Sequence, residues 1–276
     1  MIIFPQAKIN LGLNVVERRS DGYHNLQTVF YPVPLLDVLE VVPMESDVPS
    51  EEEYDLKLGG IAVEGDTRRN LVVRAYRLLK QERPELPRLH IRLYKRIPTQ
   101  AGMGGGSSDG AAMLRLLNEQ FRLGFTTPQL IDRAARLGAD CPFFILSRPA
   151  YAEGIGEQLQ PISLNLSGWH LGIVRPPIPV PTKEAFSLIT PRYPDRNCRD
   201  IVTLPVKQWR GLLKNDFEQS VFALHPEIGQ VKERLYDLGA AYAAMSGSGS
   251  ALFGLFQSPV DLKSYFPAMF TDMLQL

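Results

Sequence analysis

A chain of 276 residues, 45% apolar and 22% charged, has room for one large or two small domains with ample core and falls in the soluble globular range. Thirty basic residues offset thirty acidic ones, which excludes the bulk electrostatic footprint of a nucleic-acid binder. Two cysteines, Cys141 and Cys198, make neither a disulfide framework nor a zinc site. No apolar run reaches the roughly 18 residues of a membrane span, and the apolar start "MIIFPQAKIN" is too short, with no basic flank, for a signal peptide, so a reducing, cytoplasmic setting without a membrane partner is expected.

In "AKINLGLNVVER", Ala7, Ile9, Leu11, Leu13 and Val15 alternate with Lys8, Asn10, Gly12 and Asn14, which predicts a half-buried strand carrying Lys8 and Asn10 on its polar face. "RRSDGYHN" is a turn centred on Asp21-Gly22. "LQTVFYPV" and "LLDVLEVVP" read as further strands of an antiparallel set, and the acidic loop at 46–53 as a solvated surface segment. Leu71, Val72, Ala75, Leu78 and Leu79 form a helical stripe. "LHIRLYKRI" alternates as a strand and leads into a glycine run. Met113, Leu116, Leu117 and Phe121 then fall at helical spacing. A helix follows with Thr127 as N-cap, Pro128 in its first turn and Gly138 as stop.

In the second half, "HLGIVRP" predicts a strand and "RPPIPVP" an extended exit loop. "TKEAFSLI" predicts a short helix capped by Thr182, "PEIGQVKERLYDLG" a helix ending at Gly239, and "AYAAMSGSGSALFGLF" a strand, a glycine turn and a strand. The class is α+β, with a domain boundary expected near residue 155.

"PTQAGMGGGSSDGAA", 98–112, is the segment that points to chemistry. Glycines let backbone N–H groups approach an anion, and a helix N-terminus adds about half a positive charge. Gly104, Gly105 and Gly106 line such a loop, and Ser107 and Ser108 open the helix. A ligand-free tight loop is the plainer reading of a glycine run by itself. The P-loop pattern fails for want of a Lys after the glycines. The dinucleotide pattern fails because Ser107 stands where its third glycine belongs and the neighbouring strands read as antiparallel. Gly106-Ser107-Ser108-Asp109-Gly110 does match the G-x-S-x-G nucleophile elbow of hydrolases, with Ser108 as nucleophile, but that elbow needs a strand ending directly at the serine.

"IPTQAGMGGGSSDGAA" closely resembles the phosphate-binding motif of the GHMP kinase superfamily, small-molecule kinases for alcohols such as galactose, homoserine and mevalonate. "PQAKINLGLNV" is similar to that superfamily's first motif, "MSGSGSALFGLF" to its third, and "GADCPFF" at 138–144 to the segment with its catalytic aspartate. "DGYHNL" and "VPTKEAF" further resemble members that act on a cytidine diphosphate sugar alcohol. The similarity spans nearly the whole chain. Departures are Met103 for the usual Leu, Cys141 for a common Val, the acidic loop and a short C-terminal end.

The resemblance implies two domains, 1–155 and 156–276. The first is the ATP-binding GHMP domain, mixed α/β with antiparallel strands, and the second a ferredoxin-like α+β domain, with the active site in a cleft between them. It implies phosphoryl transfer from ATP to a 2-hydroxyl of a methylerythritol moiety, in the non-mevalonate isoprenoid route. Asp140 is the implied base and Lys8 its electrostatic partner. Taken alone, Asp140 reads as a turn or helix cap, Lys8 as a surface lysine of an edge strand, and Asn10 as a polar residue facing water. The resemblance gives Asn10 to the substrate near the reacting carbons, Tyr23, His24, Thr182 and Phe186 to cytosine, and Gly247-Ser248-Gly249 to closure of the site. A hairpin turn and a core aromatic are the plainer readings of the last motif and of Phe186. For ATP it implies Asn70, Lys95, Pro98, Gly102, Gly104 to Gly106, Ser107, Ser108 and Asp109, the last being Asn in some relatives and also a possible helix cap. His90, His170 and His225 match nothing catalytic. Mg²⁺ is expected to neutralise the β- and γ-phosphates, held by Ser108 or by phosphates and water. The neutral net charge leaves a monomer or weak homodimer expected. Another alcohol substrate, a binding protein without catalysis and the Ser108 hydrolase stand as alternatives.

Overall fold

The computed structural model describes residues 1–45, 53–63 and 65–276; the acidic loop expected at 46–53 lies almost wholly outside them. In chain order the elements begin β1 (Ile2–Ile3), β2 (Gln6–Arg18), β3 (His24–Leu36), β4 (Val38–Pro43), β5 (Tyr54–Gly60), α1 (Leu71–Glu82) and β6 (Leu89–Lys95). Then come α2 (Gly105–Gln120), α3 (Thr127–Leu137), α4 (Cys141–Leu146), β7 (Ala150–Glu153) and β8 (Gln158–Pro161). The remainder is β9 (His170–Arg175), α5 (Thr182–Ala185), α6 (Cys198–Ile201), α7 (Phe217–Leu224), α8 (Pro226–Asp237), β10 (Tyr242–Met245), β11 (Leu252–Phe256), α9 (Leu262–Tyr265) and β12 (Phe270–Gln275).

The chain folds into two compact units. The first comprises residues 1–7, 35–99 and 104–147, and the second residues 8–34, 100–103 and 148–276. Packing therefore does not follow chain order: the hairpin of β2 and β3, on the N-terminal side of residue 155, goes with the C-terminal segment.

In the first unit a four-stranded sheet runs β1-β4-β6-β5. β4 pairs antiparallel with β1 and β6, but β5 and β6 are parallel. This corrects the expectation of purely antiparallel neighbours: β5, α1 and β6 form a βαβ crossover, with the glycine loop following its second strand rather than opening its helix. Helix α2 packs on α1, β4 and β1. Gly110 permits the close approach, since a Cβ there would lie 3.0 Å from Leu71 Cβ.

The second unit has two sheets. One runs β2-β3-β7-β8 and the other β10-β11-β9-β12. In the latter β9 pairs antiparallel with both β11 and β12, and β11 with β10. Central strands β9 and β11, the first and third strands of a βαββαβ order, are the ferredoxin-like arrangement expected. Helix α8 covers β10 and β11 with Ile228, Val231 and Leu235, in one core with Leu13, Val15, Val221, Met245 and Leu252.

Three local expectations change. β2 is buried on both faces from Ala7 to Val16, not half-buried. The N-cap of α3 is Thr126, whose N–H donates to Gln129 Oε1 at 2.9 Å in a capping box, so Thr127 is the first helical residue. Thr182 likewise begins α5 rather than capping it; Pro181 holds the cap position.

Candidate active site

The phosphate-loop candidate is built where β6 ends and α2 begins. Gly104, the N-cap of α2, has φ +70°, and Gly102 has φ +71°, left-handed conformations in which a Cβ is strained. The first-turn N–H groups of Gly105, Gly106 and Ser107 have no intrahelical acceptor. No side chain caps this end and no acidic residue sits in its first turn. A Cβ on Gly105 would meet Ile97 Cγ2 at 2.8 Å, so packing requires that glycine. Gly106 is exposed and a Cβ there would have nothing nearer than 4.0 Å. The fold does not demand a glycine at 106. Pro98 is buried in the loop before it.

Ser108 is 2% exposed, inside α2, with its N–H donating to Gly104 O at 2.9 Å. It is not a nucleophile on an elbow, and the hydrolase reading fails on that geometry. Ser107 is half-buried.

Two residues that the resemblance gives to ATP make bonds within the protein. Asn70 caps α1, accepting from Val72 N–H at 3.0 Å. Lys95 was expected to face adenosine, yet it is 2% exposed and its ammonium sits between Asp37 and Asp109, 2.6 Å from Asp109 Oδ2. A cation at the loop's base is held by two carboxylates.

In the second unit Lys8 and Asn10 are 3% and 1% exposed, which rules out the surface readings of both. Lys8 Nζ donates to Asn10 Oδ1 at 2.6 Å and lies 4.9 Å from the Phe30 ring centroid. Asn10 Nδ2 donates to Thr28 Oγ1 at 2.9 Å, and Thr28 Oγ1 donates to Gly12 O at 2.5 Å. This chain of bonds fixes the orientation of Lys8. Ser246 joins two motifs: its Oγ donates to Gly102 O at 2.8 Å and accepts from Asn10 N–H at 3.3 Å. Asn215 Nδ2 donates to the carbonyls of Met245 and Gly247, at 2.7 and 2.8 Å, and so holds the third glycine turn. Gly247 and Gly249 have positive φ and are buried, while Ser248 is half-buried.

Asp140, in the first unit, occupies the N-cap position of α4 but makes no capping bond with its side chain. His24 stacks on Phe186 with centroids 4.6 Å apart and planes 18° from parallel, and Phe186 sets its edge on Phe217. Burial, with Arg18 nearby, holds the His24 imidazole below its usual range. Tyr23 is 61% exposed in the preceding turn and Thr182 is exposed at the start of α5. Asp37, Thr28, Asn215 and Ser246 were not singled out from sequence. Ser246 alone carried a signal, as the first serine of "SGSGS".

A glycine-fronted helix N-terminus, a buried lysine strand and a ferredoxin-like unit define the class of a small-molecule kinase of the GHMP type. Models of this class match accordingly: the GHMP kinases N terminal domain over residues 70–148 and the GHMP kinases C terminal domain over 206–270. A protein of Bacteroides fragilis named 4-diphosphocytidyl-2-C-methyl-D-erythritol kinase is 50% identical over 277 residues, covering all of both chains. A crystal structure of 4-(cytidine 5'-diphospho)-2C-methyl-D-erythritol kinase superposes over the full length of both chains with TM-score 0.82 and 35% identity. Homoserine kinase from Cytophaga hutchinsonii shares the fold at TM-score 0.62 and 18% identity, covering 98% of this chain and 93% of its own. The chain belongs to the 4-diphosphocytidyl-2-C-methyl-D-erythritol kinase family of GHMP kinases. It is an ATP-dependent small-molecule kinase, and among the described residues no helix is long and apolar enough to cross a membrane.

Proposed function

We propose that the protein transfers the γ-phosphoryl group of ATP to the 2-hydroxyl of 4-diphosphocytidyl-2-C-methyl-D-erythritol, a step of the non-mevalonate route to isoprenoids. The observation that carries this reading is the open first turn of α2, with Gly106 leaving its amides uncovered, in a chain half identical to a kinase named for that substrate. The amides of Gly105, Gly106 and Ser107 bind the β- and γ-phosphates. The substrate oxygen attacks the γ-phosphorus, the bond to the β–γ bridging oxygen breaks, and ADP leaves with the electron pair. Asp140 takes the hydroxyl proton late in that step, because a carboxylate is too weak a base to ionise an alcohol beforehand. Lys8, aimed by Asn10, supplies positive charge for the transferring group.

Mg²⁺ supplies neutralisation of the phosphate charge when bound. Among the described residues no three of His, Cys, Asp and Glu gather as a metal cage. That donor set fits an ion carried in by the nucleotide, with phosphate oxygens and water as its main shell and the Ser107 hydroxyl as the loop's half-exposed side-chain oxygen.

His24, Tyr23 and Phe186 hold the cytosine. The 4.6 Å stacking of His24 on Phe186 leaves no space for a base between them. Binding therefore moves the His24 ring aside, the base takes its place on Phe186, Tyr23 covers the other face and His24 bonds the base edge. The enzyme is expected to act in the cytoplasm as a monomer or weak homodimer.

The test is ADP release by the purified protein with Mg²⁺-ATP and 4-diphosphocytidyl-2-C-methyl-D-erythritol, beside mevalonate and homoserine. Turnover with the cytidine compound alone is expected. Turnover with either control instead would keep the kinase and remove the cytosine assignments.

A further inference from the structure

We propose that Asp37, Lys95 and Asp109 are positioning residues for ATP, forming a buried ionic staple that joins the two stems of the phosphate loop and fixes the first turn of α2. The proposal rests on the assignment of that loop to ATP.

The staple spans the loop at its base. Lys95 is the last residue of β6 and Asp109 lies one turn into α2. Asp37, between β3 and β4, has one oxygen in short contact with Lys95 Nζ. Its other oxygen accepts the N–H groups of Arg96 at 2.6 Å and Ile97 at 2.9 Å, where the loop begins. Lys95 Nζ then reaches across to Asp109 Oδ2 at 2.6 Å. Each member is backed by rigid structure. Asp37 N–H donates to Pro5 O at 2.8 Å, Lys95 O accepts from Ile61 N–H at 2.9 Å, and Gly105 sits so close that a Cβ would lie 3.3 Å from Lys95 Nζ.

Stability alone does not call for this arrangement. A buried ion set is often no better than apolar residues of the same volume, whereas breaking one is costly. What three hydrogen-bonded ionisable groups add is a fixed geometry: strand end, loop start and helix start meet on one ammonium. Amides that must meet phosphate oxygens within a few tenths of an ångström gain from that definition.

Asp109 Oδ1 is buried without a hydrogen-bond partner, so its carboxyl is held through Oδ2, on Lys95.

The test compares Asp109→Ala, Asp109→Asn and Asp37→Asn with the parent protein, measuring KM for ATP and for the cytidine acceptor, melting temperature, and hydrogen exchange of the amides at 104–108 with and without Mg²⁺-ATP. Asp109→Ala and Asp37→Asn are expected to raise KM for ATP about tenfold, well inside the roughly 100-fold that an ångström's misplacement can cost. KM for the acceptor should change far less, and the loop amides should exchange faster while those of β9 to β12 do not. Asp109→Asn, whose amide oxygen still accepts from Lys95, should recover most of the loss. A lower melting temperature with unchanged KM for ATP would overturn the proposal, and so would equal rises in both KM values. If Asp109→Ala does not fold, Asp37→Asn and its loop exchange decide by the same criteria. Absence of Mg²⁺-ATP protection at 104–108 in the parent would instead remove the loop assignment, and the staple's role with it.

Discussion

Asp140 and Asp109 are both aspartates on the first unit, yet their surroundings ask opposite things of them. Asp140, the proposed base, is half-buried at the N-cap position of α4 and makes no capping bond with its side chain. Asp140→Asn keeps the shape and removes the basic oxygen. It is expected to lower kcat by about 10²–10⁴-fold with little change in KM for ATP, measured by steady-state ADP release. A loss of only a few-fold would leave Asp140 an electrostatic anchor. Asp109 is buried and its carboxyl is pushed up to about 8, chiefly by that burial. The folded protein therefore keeps a proton that the unfolded chain releases near pH 4. The sign follows: between about pH 4 and pH 8 this group's contribution to stability falls as pH rises, and it is flat above. Asp109→Asn imitates the neutral acid at every pH. Thermal melts at pH 5.5 and pH 8.5 should show the variant gaining on the parent at the higher pH; parallel curves would contradict the assigned proton.

At the scale of an element, the stretch from β6 to α2 separates glycines required by folding from a glycine that packing leaves unconstrained. A Cβ on Gly102 would stand 1.8 Å from Ser246 O, on a residue with φ +71°. Gly102→Ala is expected to cost more than the roughly 1–2 kcal/mol of a left-handed residue, seen as a melting temperature lowered by several degrees. Gly106 lies inside the helix with open space around it. Gly106→Ala should melt at or slightly above the parent, since alanine favours a helix by about 0.5–1 kcal/mol over glycine, yet bind ATP several-fold more weakly by titration calorimetry because its methyl covers the amides. Equal ATP affinity would mean that the amides do not meet the phosphates. The elements that were legible from sequence share a local cause. The stripe of α1, the Gly138 stop of α3, the end of α8 near Gly239 and the strand character of β2 and β6 are set by neighbours in the chain. β5, β7, β8 and β12 were missed because they are short strands of mixed polarity that exist through their pairing partners. The same division holds in the site. The glycine loop and the Lys8 strand were legible, whereas Asp37 reads as one acid between two strands. That Lys95 turns to Asp37 and Asp109 rather than outward depends on three separate segments meeting.

On the scale of the whole molecule, a cut at residue 155 is not a cut between packed units. β2 and β3 share a sheet with β7 and β8, and residue 155 falls between the last two strands. Leu13 and Val15 of β2 are buried against Val221, Ile228, Met245 and Leu252, all from the C-terminal part. Leu13 N–H donates to Lys214 O at 2.9 Å, and Asp216 accepts from Val15 N–H at 2.8 Å. A fragment of residues 1–155 would expose both apolar side chains, at about 1.5–3 kcal/mol each, and leave the backbone of β2 without these partners. Against a total stability of about 5–15 kcal/mol for a whole domain, such losses leave no margin. The fragment is expected to keep helical far-ultraviolet dichroism from α1 to α3 while losing near-ultraviolet signal and binding a hydrophobic dye. Co-expression with residues 156–276 should restore the near-ultraviolet signal, because α7, α8 and the ferredoxin-like sheet return what Leu13 and Val15 pack against. A fragment 1–155 with a sharp thermal transition and no dye binding would show that the N-terminal half holds β2 and β3 without the rest, and that the division in chain order is also one in folding.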